Sequence, residues 1–122
     1  MLRTHHDTKL VLNMLLANGV RLETDNDGYL QRFDDWSEAV AEMIAASDRI
    51  ILSEAHWEII RTLRIFYLRY EQSPAMRPLV KFIGQQLGAD KGNSIYLLKL
   101  FPGSPAKIAS KIAGLPRPEH CL

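Results

Sequence analysis

Between Ser53 and Tyr70 the chain places Trp57, Ile59, Ile60, Leu63, Phe66, Tyr67 and Tyr70, at steps of three and four that gather side chains on an α-helix and not on a strand. On a helix these residues cover most of the circumference. A helix that is apolar nearly all round belongs in the interior, so this segment, capped by Ser53, is expected at the centre of the core. The remaining elements have to pack around it.

Upstream, Trp36, Ala39, Val40, Met43 and Ile44 give a second helical stripe, with Asp34 or Asp35 as its cap. Before it, the period from Val20 to Phe33 shortens to two, and Asp25-Asn26-Asp27-Gly28 is rich in residues that tolerate positive φ. A β-hairpin is expected there. Asp25 and Asp27 do not make a calcium loop, because the position that requires a closing glutamate is Trp36.

Downstream, Ser73 and Pro74 are placed as the cap and first residue of a helix with Met76, Leu79, Val80, Ile83 and Leu87 on its apolar side and Gly88 as its stop. Pro78 then falls one turn inside, where it should bend the helix unless the helix begins later. Asp90 to Ser94 leads into a short helix over Ile95 to Leu100, Phe101-Pro102-Gly103 interrupts it, and Ser104-Pro105 opens a last helix through Ala113. The fold class is α+β and mostly α: a small N-terminal β-hairpin or meander on an array of about five or six helices, followed by a flexible C-terminal arm.

The chain divides into an N-terminal extension at 1–18, a domain at 19–114 and an arm at 115–122. At 122 residues the single domain can bury a core without disulfides or a metal. A formal net charge of +1 supplies no global attraction to nucleic acid or to an anionic membrane, and no apolar run is long enough to span a bilayer. His5-His6 has no third ligand at metal spacing, so no metal site is expected. Met14 offers an alternative start, with the residues before it otherwise a loose helical extension. The helices on either side of Glu71-Gln72 resemble a helix-turn-helix, but Arg77, Lys81, Gln85 and Gln86 are a modest set for reading a groove. His56, at a helix start with no paired carboxylate or nucleophile, is expected to be structural.

The one cysteine, Cys121, stands next to the C-terminus beyond Gly114 and the Pro116-Arg117-Pro118 spacer. Prolines cannot continue a helix, so the thiol is expected to be exposed and mobile. A spacer of this kind extends about 3.1 Å per residue, which gives Leu115 to Cys121 a reach of about 19 Å.

The run from Ala106 to Pro118 followed by a penultimate cysteine resembles the C-terminal signature of the DsrC/TusE family of sulfur-relay proteins. Glu54-Ala55-His56-Trp57-Glu58-Ile59-Ile60-Arg61, Ser73-Pro74-Ala75-Met76-Arg77, Lys91-Gly92-Asn93-Ser94 and Leu100-Phe101-Pro102 resemble its other blocks in the same order, from about Gly19 to Leu122. Some members carry a second cysteine in the triplet that is Ala109-Ser110-Lys111 here, and this chain has Ser110. The resemblance implies the single-cysteine type: a sulfurtransferase that holds sulfane sulfur as a persulfide on Cys121, without cofactor or metal. It also implies an upstream persulfide donor complex and a downstream tRNA 2-thiouridylase, with tRNA met only indirectly, in the cytoplasm. The rival it leaves is an interaction subunit of a sulfite reductase, as in two-cysteine relatives. Ile95 and Leu98 stand where relatives commonly have arginine and tyrosine, and Ser104 replaces a glycine.

Two further expectations concern the arm. From Lys91 onward the cations are Lys91, Lys99, Lys107, Lys111 and Arg117 against Glu119 alone, a basic end that could attract acidic partners. The thiol is expected to react like an ordinary cysteine in the free protein, with His120 and Arg117 as its candidate internal activators.

Overall fold

The computed structural model describes residues 12–15 and 21–119. His5, His6, Val20 and Cys121, on which several expectations rest, lie outside the described residues. Strands β1 (Leu12–Leu15) and β2 (Arg21–Thr24) pair antiparallel, with Met14 opposite Leu22. β1 falls inside the 1–18 stretch, so its residues form strand and not a loose helix. The hairpin expected around Asp25–Gly28 is reduced to one bridge, Thr24 to Leu30. Asp25 Oδ1 accepts from the amides of Asp27 at 2.9 Å and Tyr29 at 3.0 Å, and a turn closed by a side chain in this way competes with a longer ladder.

After a single 3-10 turn at Phe33–Asp35, helix α1 (Glu38–Ser47) starts at Ser37, whose hydroxyl accepts from the Val40 amide at 3.2 Å. The cap is therefore Ser37 and not Asp34 or Asp35, and the buried face is Val40, Ala41, Ile44 and Ala45. Helix α2 (Glu54–Tyr70) buries Ile59, Ile60, Thr62, Leu63 and Phe66 but leaves Ile65, Leu68 and Tyr70 exposed. It is one-sided, unlike the all-round burial expected of it.

Helix α3 (Met76–Leu87) begins after Ala75. Pro78 is thus its third residue, where the amide has no intrahelical partner in any case, and the helix runs on to Leu87. Helix α4 (Ser94–Leu100) is capped by Asn93, which accepts from the Tyr96 amide at 2.9 Å. Helix α5 (Pro105–Ile112) starts with proline at its first turn.

The hub of the array is α5, which packs against each of the other four helices. Its buried residues include Ala106, Ala109 and Ser110, and small side chains let neighbouring backbones approach closely. Phe101, Leu97, Ile83 and Ile59 fill the space around it. The arm is therefore attached to the helix that contacts every other helix of the described residues.

Candidate functional site

Helix α5 ends with the backbone pattern that closes many helices: the Leu115 amide donates to Ser110 O at 2.9 Å and the Gly114 amide to Lys111 O at 3.1 Å, with Gly114 at φ +79°. That pattern leaves the carbonyls of Ile112 and Ala113 without backbone donors. Trp36 Nε1 donates to Ile112 O at 2.8 Å and Arg64 Nη1 to Ala113 O at 2.8 Å. The Arg64 guanidinium lies over the rings of Phe33 and Trp36, 3.9 Å and 4.0 Å from their centroids, and its charge suits the negative end of a helix. Burial pushes the Arg64 pKa below the ordinary arginine value, with Asp34 opposing the shift.

Beyond this joint the arm lies along the body. Leu115 is fully buried and Pro118 is buried as well. Ser73 donates its hydroxyl hydrogen to Pro116 O, and Arg117 pairs with Asp27 while lying 4.9 Å from the centroid of the Tyr29 ring. The free spacer expected from Leu115 onward is docked through Glu119. Cys121 is then two residue steps beyond Glu119, a span of at most about 7 Å. A cleft of about 330 Å³ adjoins the docked arm, between Phe66, Pro74 and Pro78 on one side and Pro116 and Glu119 on the other.

The blocks singled out in the sequence are bonded to one another. His56 Nδ1 accepts from the Ser53 amide at 3.0 Å, so its Nε2 carries the hydrogen and donates to Leu100 O at 2.8 Å. This clasp ties the start of α2 to the end of α4, a structural role. Lys91 reaches Glu58 at 2.7 Å, and Gly92 lies so near α3 that a Cβ there would stand 2.3 Å from Gly84 Cα. The turn of the suspected helix-turn-helix contributes Ser73, which holds the arm.

The basic end is largely neutralised by the N-terminal half. Lys91 pairs with Glu58, Lys111 with Asp48 at 3.0 Å, and Arg117 with Asp27. The hydrogen bond to Asp27 is the main cause that raises the Arg117 pKa. Ser110 is fully buried, and its hydroxyl has no hydrogen-bond partner among the described residues. Among those residues no cluster of His, Cys, Asp and Glu could hold a metal ion, and no helix is long and apolar enough to cross a membrane.

A family model described as DsrC like protein matches residues 16–122. The chain belongs to the DsrC/TusE family. A curated member, the sulfurtransferase TusE of Sodalis glossinidius, is 56% identical over 105 residues, covering 86% of this chain and 97% of that protein. Among solved DsrC structures, that of Allochromatium vinosum superposes with a TM-score of 0.84 at 42% identity, covering 93% of this chain and all of the other. The oxidized gamma-subunit of the dissimilatory sulfite reductase of Archaeoglobus fulgidus gives 0.78 at 41%, covering 91% and 100%. Within the DsrC/TusE fold, sequence reasoning missed Trp36, Arg64, Asp27 and Ser73 as supports of the arm. Three of them read as local features: Trp36 as part of a helix stripe, Asp27 as part of a turn and Ser73 as a cap. Arg64 carried no signal beyond being a cation inside an apolar pattern.

Proposed function

We propose that this sulfurtransferase of the TusE type carries sulfane sulfur on Cys121, taking it from a persulfide donor complex and passing it to a tRNA 2-thiouridylase. The observation that carries the reading is the 56% identity to a sulfurtransferase TusE, combined with a single cysteine at the end of the family's C-terminal signature. In the transfer the Cys121 thiolate attacks the terminal sulfur of the donor persulfide, a new S–S bond forms, and the donor cysteine leaves as a thiolate. The step is an exchange with no net oxidation, and repeating it on the acceptor restores the thiol. The relay is placed in the cytoplasm, where such a thiol stays reduced.

The docked arm adds a step to this scheme. While Ser73 and Asp27 hold Pro116 and Arg117, Cys121 reaches only about 7 Å past Glu119; released back to Leu115, it reaches about 19 Å. Exposed ion pairs contribute little, so lifting the arm costs a partner chiefly the burial of Pro118 and the Ser73 hydrogen bond to Pro116 O. In the docked arm Arg117 is engaged by Asp27, which removes one candidate activator of the Cys121 thiol.

Isotope-labelled sulfur offered by a persulfidated donor should appear on the protein and be lost entirely in Cys121→Ser. Labelled sulfur retained by that variant would show that another group accepts it.

A further inference from the structure

We propose that Arg64, steadied by Trp36, is a positioning residue for sulfur transfer: it sets the direction in which the chain leaves α5 and hence the region in which Cys121 is offered to a partner. This rests on Cys121 as the sulfur carrier. The helix end does not need Arg64 for ordinary closure, because Gly114 and Leu115 already supply the backbone bonds that stop α5. Arg64 acts one residue further, on the Ala113 carbonyl, which is the peptide unit that joins helix to arm.

Its own orientation is over-determined. The guanidinium lies over both the Phe33 and the Trp36 rings, and Trp36 is itself tied by its indole N–H to Ile112 O. The same ring stands against Gly114, where a Cβ would lie 2.5 Å from Trp36 Cδ1. Burying a cation in this way carries a desolvation cost, which the stacking and the carbonyl bond offset. When the arm lifts from Ser73 and Asp27, this joint still holds it. Over a lever of about 19 Å a hinge change of about 10° moves the tip by about 3 Å, so a loosened joint lowers the fraction of molecules that present Cys121 where a partner can take it, and the apparent affinity falls by that fraction.

The single cysteine allows a nitroxide to be attached to Cys121 without background. In Arg64→Ala its spectrum should report faster motion than in the wild type. With unlabelled protein, the KM for the persulfidated donor should rise about tenfold while kcat and the rate of iodoacetamide alkylation stay near wild type. A role confined to stability would leave KM and the nitroxide unchanged in the folded variant. Arg64→Lys keeps the charge but loses the planar donor, and should restore part of the KM. An unchanged KM or an unchanged nitroxide spectrum in folded Arg64→Ala overturns the proposal. Should that variant fail to fold, Arg64→Lys and Trp36→Phe decide in its place, with an unchanged KM in both counting against it. If the wild type accepts no sulfur, the assignment of Cys121 fails instead, and the nitroxide comparison still decides whether Arg64 holds the joint.

Discussion

Two helices of this protein stop at a glycine with positive φ: α3 at Gly88, φ +107°, and α5 at Gly114, φ +79°. At Gly88 the surroundings are local. An added Cβ would meet the Asp90 carboxylate at 2.9 Å, the far end of an exposed side chain that can turn away. At Gly114 it would meet Trp36 at Cδ1, Cγ and Cβ, all within 3.0 Å, and that ring is held by Ile112 and covered by Arg64. A glycine stop can therefore be a property of a few consecutive residues or a joint built by distant parts of the chain. Only the second kind gives the chain that follows a defined starting direction.

The most direct way to break this contrast is to place alanine at both sites. At Gly114 the left-handed backbone costs about 1–2 kcal/mol and overpacking against Trp36 about 1–3 kcal/mol, so Gly114→Ala should lower the unfolding free energy by about 2–5 kcal/mol. It should also raise the KM for the persulfide donor, because the joint is distorted. Gly88→Ala carries the backbone cost alone, about 1–3 kcal/mol, and should leave transfer per folded molecule unchanged. Urea unfolding and single-turnover sulfur uptake on both variants check the pair, and equal effects on transfer would erase the distinction.

The same division decides what was legible in the sequence. Some stops, caps and turns written in neighbouring residues are readable: Ser53, Gly88, Ser104-Pro105 and the Asp25–Gly28 turn fall where expected, whereas α1 is capped by Ser37 and not by Asp34 or Asp35, and α3 starts after Ala75 and not at Ser73-Pro74. The order of helices followed from apolar spacing. The centre of the core did not, because a scan for large side chains favours α2, whereas α5 is the hub through alanines and a serine whose value is their small size. β1 was missed because its partner strand was sought downstream, across the turn. The cysteine itself was conspicuous from its isolation and its place in a family signature. Its supports were not, since Trp36 lies 76 positions from Ile112 and Arg64 lies 49 from Ala113, and nothing in the spacing of either residue announces that contact.

Ser110 sharpens the comparison from inside the hub helix. Its hydroxyl is buried without a hydrogen-bond partner among the described residues, and alanine has the better helix propensity. Removing an unsatisfied hydroxyl should therefore be neutral or stabilising, by up to about 1 kcal/mol. Ser110→Ala should keep full sulfur transfer, since Cys121 alone carries the sulfur in the proposed relay. A loss of transfer with stability retained would bring the Ser110 hydroxyl into the chemistry.

The smallest expected effect separates the cations near the two glycines. Burial pushes the Arg64 pKa down, whereas the hydrogen bond to Glu58 pushes the Lys91 pKa up. A lysine whose pKa is raised by folding contributes its stabilisation in full below the ordinary lysine value and loses it as pH rises through the higher folded value. The Lys91–Glu58 pair should therefore stabilise the protein at neutral pH and cease to do so at strongly alkaline pH. Because the pair lies at the surface its contribution is small, and added salt should weaken it further. Urea midpoints of wild type and Glu58→Gln, compared at about pH 8 and about pH 11, on either side of the reference lysine value, isolate it: the difference between the two proteins should shrink at the higher pH. A difference that stays constant would mean that Glu58 stabilises the Gly88 turn without the Lys91 charge. The turn would then depend on packing at Gly92 and Gly84, and the two glycine stops would be more alike than their surroundings imply.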